Sequence, residues 1–224
     1  MKNEMLLSAA LQHQGMHISR SQKQQFTMYH HLLLEWNQRM NLISKKDEVR
    51  IYSRHFLESV GLLFTVRFPL NSWVMDLGSG AGLPGIPMKI IRPDLKIILA
   101  ESIQKKAAFL EAIQKELMLD NIQVFHGRAE DFNEKSCFDF VVCRSVSNLI
   151  HLSQWSRPLL KAGGMLVAIK GSSVTEELDQ LNKKSKSLQI KACRNIPFNP
   201  FPEIIPLEHQ RIVTVHFSRP EQTH

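Results

Sequence analysis

Apolar residues are spaced differently before and after about residue 70 of this 224-residue chain. In the first part they recur three and four positions apart, the spacing of one face of an amphipathic helix. The clearest stripe is formed by Phe26, Tyr29, Leu33, Trp36 and Met40. Ser19 and Gln22 are spaced as a capping box that would begin this helix, which the stripe predicts to reach about residue 40. A second helix is predicted over residues 47–64, so we predict a helical extension over residues 1–70.

From residue 71, short apolar runs alternate with segments of helical pattern. Strands are predicted over residues 73–77, 95–101, 122–125, 138–143, 164–170, 188–196 and 210–217. Alternating strands and helices predict a parallel sheet covered on both faces. A proline-rich loop, and not a helix, joins the last two strands, which suits an antiparallel pair at one edge. The predicted fold class is therefore α/β, with a mostly parallel seven-stranded sheet, an antiparallel edge strand and one domain over residues 71–224.

The charge of the chain favours a polyanionic partner. It has 28 basic and 21 acidic residues, a net charge of +7, and most of the excess lies in residues 1–70. Nucleic acid is the commonest partner of such a chain. A phosphate-binding face is possible from Arg20, Lys23, Arg39, Lys45, Lys46, Arg50, Arg54 and Arg67, extended by Lys183, Lys184 and Lys186.

Other features limit the location of the protein and its class. No window of eighteen consecutive apolar residues occurs, and the apolar run at the N-terminus is too short for a signal peptide. The three cysteines form no CxxC pair, which favours a reducing cytosol. The histidines show no HExxH motif or paired ligand spacing, so no metal site is predicted. We expect a cytoplasmic protein without a membrane partner, and nothing in the sequence demands more than a monomer.

A glycine cluster follows the first predicted strand. Four glycines, of which Gly85 is the last, follow Asp76 within nine residues, at the junction of a strand and a helix. Glycine permits a positive φ and a close approach of the backbone to a ligand, and the helix that follows offers unpaired N–H groups. Because ligands of open parallel sheets bind outside the carboxyl ends of the strands, this cluster is the predicted binding loop.

Two cofactors compete for this loop. Residues 80–85 match GxGxxG, which is typical of dinucleotide sites but weak as a lone match. Asp76 at the strand end would oppose a pyrophosphate and would suit the cationic ammonium and sulfonium of S-adenosylmethionine (SAM). Glu101 ends the second strand and can accept hydrogen bonds from both hydroxyls of a ribose. SAM and NAD both contain such a ribose, so Glu101 alone does not distinguish them. An acid after the third strand, as in Ala129-Glu130, can accept a hydrogen bond from an adenine amino group.

Several motifs together resemble those of the RsmG/GidB family. They are DxGxGxGLPGIP at 76–87, Lys105-Lys106 after Glu101, RAED at 128–131, CRSVSNL at 143–149 and AIKG at 168–171, with Glu35-Trp36-Asn37, Asn41-Leu42 and Arg54–Ser59 upstream. The family consists of bacterial methyltransferases that act on N7 of a guanine in the 530 loop of 16S rRNA. The resemblance covers roughly residues 30–175.

The resemblance implies a Rossmann-like SAM-dependent methyltransferase domain with an N-terminal helical extension. It also implies SAM as cofactor, and 16S rRNA or the small ribosomal subunit as partner. Gly78 and Leu83 match cofactor-contacting positions, Ala129 and Glu130 match the adenine-contacting pair, and Arg144 matches an arginine beside the cofactor. Residues 143 and 145–147 depart from the commoner S-R-A-x-A pattern. The candidate cofactor-binding residues are Asp76, Gly78, Gly80, Leu83, Glu101, Ala129, Glu130 and Arg144.

The expected reaction does not need a general base. Guanine N7 carries a lone pair and no proton, so alignment and exclusion of water are the main requirements. No residue is therefore assigned as catalytic, and Arg144 and Lys170 are candidate positioning groups. Arg144 can bind the guanine edge or the cofactor carboxylate, or pair with Asp76 or Asp139. Lys170 can contact a phosphate or guanine O6, or be an exposed strand-end lysine.

Two other functions remain open at this point. The GxGxxG match is consistent with an NAD-dependent oxidoreductase. A non-catalytic RNA-binding or assembly factor that uses SAM only structurally would share the loop and the charge. Methylation at cytosine C5 would need a cysteine nucleophile, but Cys143 lacks a preceding proline and is interpreted as a small strand-end residue.

Overall fold

Seven strands form one sheet in the computed structural model, which describes residues 2–172, 174–202, 204 and 210–218. The strands are β1 Trp73–Leu77, β2 Lys96–Glu101, β3 Ile122–His126, β4 Phe138–Arg144, β5 Leu160–Gly171, β6 Ile190–Pro197 and β7 Gln210–Phe217. Their order is β3-β2-β1-β4-β5-β7-β6, and β1 to β5 are parallel. Each strand overlaps its predicted segment, which confirms the α/β fold class.

The predicted antiparallel pair at one edge of the sheet is confirmed. It consists of β6 and β7, of which β7 pairs antiparallel with β5 on one side and with β6 on the other. The edge strand is β6. Residues 212–215 of β7 are buried, whereas most of β6 is exposed or half-exposed. The apolar strand therefore takes the inner place, and the polar strand tolerates the exposed edge.

Helices cover both faces of the sheet. They are α1 Lys2–His13, α2 Arg20–Asn37, α3 Leu57–Thr65, α4 Gly85–Ile91, α5 Gln104–Glu116, α6 Leu149–Ser156 and α7 Val174–Lys183. Buried residues alternate between the faces along β1, where Val74 joins one apolar cluster and Met75 joins the other. The apolar residues of α1, α2 and α3 belong to the cluster of Val74, so these helices share a core with one face of the sheet. The boundary at residue 70 remains a prediction.

The N-terminal helices differ from the sequence prediction at their ends. The capping box of Ser19 and Gln22 is present, but α2 ends at Asn37. The Asn37 side chain there accepts hydrogen bonds from the N–H groups of Leu42 and Ile43, which turns the chain away from the helix. The predicted second helix is divided into a 3₁₀ turn over Lys45–Arg50, a π-helical turn over Ile51–Phe56 and α3.

The topology places one crevice at the carboxyl ends of β1 and β4. The chain leaves β1 towards β2 on one side, and β4 leads to β5 on the other, so the order reverses between these neighbours. Ligands of open α/β sheets bind at such a point. No helix that the structure describes is both long and apolar enough to cross a bilayer.

Candidate functional site

The glycine loop is tied to the end of β2. The N–H groups of Gly78 and Ser79 both donate to the Ala100 carbonyl, at 2.9 and 3.0 Å. The buried Glu101 carboxylate accepts the Gly80 N–H through Oε2 at 2.9 Å. The loop that was predicted from its glycines is therefore held in a defined shape by backbone and carboxylate groups of the neighbouring strand.

Gly78 and Gly80 serve different purposes in this loop. Both have a positive φ, at 69° and 57°. A Cβ on Gly78 would lie 2.8 Å from Val146 Cγ2, so this glycine allows the loop to pack against the segment after β4. A Cβ on Gly80 would meet no heavy atom closer than 3.8 Å. Gly80 thus presents bare backbone to open space, which fits a ligand that approaches the main chain closely.

Asp76 lies beneath the loop and is fully buried. Its Oδ2 atom accepts the N–H of Gly85 at 2.9 Å, where α4 begins. Its Oδ1 atom has no hydrogen-bond partner among the residues that the structure describes. Burial raises the pKa of Asp76 to about 7. The carboxylate therefore braces the start of α4, and its contact with a cationic cofactor group remains a prediction.

Asp76→Asn is expected to reduce the pH dependence of stability. The pKa of about 7 lies above the ordinary 3.8, so between these pH values the folded chain keeps a proton that the unfolded chain releases. Stability therefore falls as pH rises through this range, by up to about 1.4 kcal/mol per pH unit. Denaturant unfolding at pH 5 and pH 7 measures the effect. An equal pH dependence in the wild type and the variant would contradict it.

Tyr29 connects α2 to the glycine loop. Its buried hydroxyl donates to the Ala81 carbonyl at 2.5 Å, and its ring stacks on Phe56 with centroids 4.9 Å apart. Burial raises the pKa of this hydroxyl, which stays protonated as a donor. The helical stripe that predicted a packed face thus also supplies a polar brace for the loop, and no sequence pattern indicated that contact.

Tyr29→Phe isolates the hydroxyl, because the ring stack is kept. We expect a loss of about 1–3 kcal/mol in the free energy of unfolding, since the buried Ala81 carbonyl loses its donor. The affinity for S-adenosylhomocysteine is expected to fall several-fold as the loop loosens. Denaturant unfolding and calorimetric titration measure the two effects. Wild-type values in both would show that this hydrogen bond does not hold the loop.

Arg144 forms a buried ion pair with Glu58 of α3. Nη1 of Arg144 lies 2.5 Å from Oε2 of Glu58, whose side chain is 3% exposed. Burial raises the pKa of Glu58, and the guanidinium opposes this shift. The predicted partners of Arg144 were Asp76 and Asp139, and neither forms this ion pair. Asp139 instead pairs with Lys161 at the other end of β4. Sequence reasoning missed Glu58 as a partner, because 86 positions separate the two residues.

One cavity of about 460 Å³ brings many of the predicted residues together. From the predicted set its lining includes Gly78, Gly80, Leu83, Arg144 and Lys170. The helical extension contributes Leu42, Asp47, Arg54, His55 and Glu58 to the same lining. The glycine loop and the Arg144–Glu58 pair therefore face one space, at the point where the strand order reverses.

His55 is a buried neutral group in the wall of this cavity. Neither ring nitrogen has a hydrogen-bond partner among the described residues, and Nε2 lies 4.0 Å from Oδ2 of Asp47. Burial lowers the pKa of His55 to about 3, and the positive charge of Arg144 acts in the same direction. The imidazole is therefore uncharged at neutral pH.

Lys170 holds the segment that follows β4. Its Nζ atom donates to the Ser147 carbonyl at 2.9 Å and lies 2.8 Å from Oε2 of Glu177. The same Glu177 oxygen accepts the N–H of Leu149, the first residue of α6. Lys170 is thus not a free strand-end lysine, and its contact with a phosphate or guanine O6 remains a prediction.

The predicted adenine-contacting residues lie farther along the carboxyl edge of the sheet. Ala129 is buried and Glu130 is exposed, in a 3₁₀ turn just after β3. Neither lines the cavity of the glycine loop. Glu101 lies between the two regions and also accepts the N–H of Ile103 through Oε1, at 2.8 Å. The contacts of these three residues with a cofactor remain predictions.

Cys143 does not have the properties of a nucleophile. It is buried in β4, and burial raises the pKa of its thiol to about 12. A reactive cysteine needs the opposite shift. The interpretation as a small strand-end residue is consistent with this environment. Within the described ranges no cluster of three or more His, Cys, Asp or Glu side chains is arranged to hold a metal ion.

Two solved structures with a similar fold are methyltransferases. The fold is similar to that of a SAM-dependent methyltransferase from Aquifex aeolicus, with a TM-score of 0.59 and 13% identity, over 79% of this chain and all of that one. It is also similar to the glycopeptide N-methyltransferase MtfA, solved in complex with SAM, with a TM-score of 0.58 and 14% identity, over 72% of this chain and 87% of that one. These likenesses confirm the Rossmann-like methyltransferase fold.

Sequence comparison identifies the family. A ribosomal RNA small subunit methyltransferase G of Brevibacillus brevis is 41% identical over 179 residues, 78% of this chain and 75% of the relative. The protein of the same name from Streptococcus pneumoniae is 35% identical over 210 residues, 92% of this chain and 86% of the relative. The family model GidB, described as rRNA small subunit methyltransferase G, matches residues 22–199. The chain therefore belongs to the rRNA small subunit methyltransferase G family.

Proposed function

We propose that this protein transfers a methyl group from SAM to N7 of a guanine in the 530 loop of 16S rRNA. The observation that carries the proposal is the shared cavity, in which a glycine loop and a buried Arg144–Glu58 pair face each other. Family membership supports an rRNA substrate of the small subunit. The choice of guanine N7 rests on the motifs between residues 76 and 171.

The residues of the loop fit SAM. The backbone at Gly80, which no side chain covers, would contact the methionine part of SAM. Glu101 already accepts the N–H groups of Gly80 and Ile103. Its remaining lone pairs would accept hydrogen bonds from the ribose hydroxyls. Ala129 and Glu130 would bind the adenine. When bound, SAM supplies a methyl group whose bond to sulfur breaks as the bond to N7 forms. The GxGxxG match no longer favours NAD, because the family to which the chain belongs consists of rRNA methyltransferases.

The cavity suits a reaction that depends on positioning. Arg144 has one donor engaged by Glu58 and others that can bind an acceptor on the guanine or the cofactor. Its orientation is fixed by that pair, so the loss of entropy on binding is small. His55 and Lys170 in the cavity wall are unsuited to act as a base, because His55 has a pKa far below neutral and Lys170 is engaged by Glu177. The N7 lone pair needs none.

We propose that the protein acts as a monomer in the cytoplasm. The glycine loop, the Arg144–Glu58 pair and the helical extension of one copy line the cavity together, which supports a site formed within one chain. An rRNA substrate of the small subunit supports a cytoplasmic location.

Methyl-labelled SAM tests the activity. The protein is incubated with small ribosomal subunits from cells that lack this modification, and the label in RNA is counted. We expect stoichiometric transfer to RNA and micromolar or tighter binding of S-adenosylhomocysteine. Tight binding of NADH without binding of S-adenosylhomocysteine would favour an oxidoreductase. Binding of SAM and RNA with no transfer would favour a non-catalytic assembly factor.

A further inference from the structure

A second cavity lies beside the proposed active site and has no role in the reaction described above. Its volume is about 510 Å³. It is formed where α2 ends, and its main lining residues are Gln38, Arg39, Met40, Asn41 and Lys45. None of these five residues lines the cavity of the glycine loop.

The two cavities share a wall. Leu42 and Asp47 line the active-site cavity, whereas Asn41 and Lys45 line the second one. Neighbours in the chain thus face the two spaces from one short segment over residues 40–48. If one monomer of a polymeric substrate enters the active-site cavity, the next monomer along the polymer would lie at the second cavity.

The wall has a fixed shape. Asn37 accepts the N–H groups of Leu42 and Ile43 through Oδ1, at 2.9 and 3.0 Å, and donates through Nδ2 to Oε1 of Glu48 at 2.7 Å. The carboxylate of Glu48, the one acid in the described lining, is therefore engaged from within the protein. These three hydrogen bonds of Asn37 hold the segment before any ligand binds, which lowers the entropic cost of binding.

The chemistry of the lining matches a nucleotide. Arg39 and Lys45 are exposed cations, and among the described residues the 71% exposed Arg39 has only the exposed Glu35 as an ion-pair partner, at 3.3 Å. An exposed pair of this kind contributes little, so a phosphate can displace it. The amides of Gln38 and Asn41 can donate to and accept from a base edge. The half-buried Met40 offers an apolar surface to a base face.

We propose that the second cavity binds a nucleotide of the RNA strand next to the methylated one, with its phosphate at Arg39 and Lys45. This inference rests on the proposed function. A protein partner fits less well, because the described lining holds no aromatic residue, whereas it does hold Lys45 and Glu48, of types that are depleted at protein–protein interfaces. The shared wall then aligns the strand, so that the target base enters the site from a defined direction.

The variant Arg39→Ala/Lys45→Ala tests this site. We expect the half-saturating concentration of small subunits to rise about tenfold at 150 mM salt, with kcat and the affinity for S-adenosylhomocysteine unchanged. The slope of log affinity against log salt is expected to fall by about 1.5, as for two lost phosphate contacts. The matched control is Lys191→Ala/Arg194→Ala, which removes two exposed cations from the edge strand β6. It should leave the slope within about 0.3 of the wild type.

The outcomes separate this inference from the proposed function. If the wild type methylates subunits but both double variants show its salt slope, the second cavity is not an RNA site. If the loss is seen with whole subunits and not with protein-free 16S rRNA, a ribosomal protein and not RNA contacts these residues, and the inference is wrong. If the wild type transfers no methyl group to subunits, the proposed function itself fails. A smaller slope on both substrates, with kcat unchanged, supports the nucleotide site.

Discussion

Methyl transfer is expected to fall about a hundredfold or more when Arg144 is replaced by glutamine. Arg144 is the largely buried cation between the glycine loop and the helical extension, with a side chain 12% exposed, and its loss removes the group that orients the reacting partners. It also leaves Glu58 buried without a counter-charge, which typically costs about 3–5 kcal/mol of stability. Single-turnover transfer and denaturant unfolding measure the two losses.

The stability loss in Arg144→Gln should depend on pH. Burial already raises the pKa of Glu58, and the guanidinium is the main opposing influence. Without it the pKa of Glu58 rises further, so the folded chain keeps a proton that the unfolded chain releases as pH increases. The variant should therefore lose more stability, relative to the wild type, at pH 8 than at pH 5. The same deficit at both pH values would show that Glu58 does not carry the effect.

A double-mutant cycle with Glu58→Gln separates positioning from stability. The double variant should be more stable than the sum of the single effects predicts, since it leaves no unpaired buried charge. Its methyl transfer should remain as low as that of Arg144→Gln. Lys161→Gln is the matched control, because it breaks the half-exposed pair with Asp139 at the other end of β4. That change should cost less than about 1 kcal/mol and leave transfer unchanged.

The second large effect is expected from Gly78→Ala. The new Cβ would lie 2.8 Å from Val146 Cγ2 and would require a φ of 69°, so the loop must move away from the segment after β4. We expect the affinity for S-adenosylhomocysteine to fall about tenfold or more, because overpacking and strain together cost about 2–4 kcal/mol. Calorimetric titration measures the affinity directly.

Gly163→Ala controls for backbone strain alone. Gly163 has a φ of 86°, but a Cβ there would meet no heavy atom within 4 Å, and the residue lies near the start of β5, away from the carboxyl ends of the strands where the glycine loop lies. The Gly163→Ala variant should be less stable than the wild type but should keep the wild-type affinity for S-adenosylhomocysteine. Adding Val146→Ala to Gly78→Ala should restore part of the affinity by removing the methyl groups that clash. An unchanged affinity in Gly78→Ala would show that the loop shape does not determine binding.

Sequence patterns predicted the sheet and the glycine loop because both depend on neighbours in the chain. Apolar runs bounded by turns identified all seven strands, and the capping box identified the start of α2. The order of the last two strands depends on which of them buries its side chains against β5. That comparison involves residues far apart in the chain and is not encoded by local spacing, so the sequence predicted the antiparallel pair at the edge but not which of its two strands lies next to β5.

The missed parts of the candidate site are contacts between distant positions. Glu58 pairs with Arg144 across 86 residues, and Tyr29 donates to Ala81 across 52. A helical stripe indicates that Tyr29 is buried but not what its hydroxyl binds. The π-helical turn that presents His55 also has no signature in hydrophobic spacing. Family motifs covered residues 54–59 without assigning a role to Glu58.

Mapping the methylated atom tests the central claim most directly. Small subunits that lack the modification are labelled with methyl-labelled SAM, the 16S rRNA is digested, and the labelled nucleotide and ring atom are identified. We predict label on N7 of a single guanine in the 530 loop, and its absence with Arg144→Gln over the same time. Label on an exocyclic amine, on another base or at many sites would contradict the proposed reaction, as would its absence while S-adenosylhomocysteine binds.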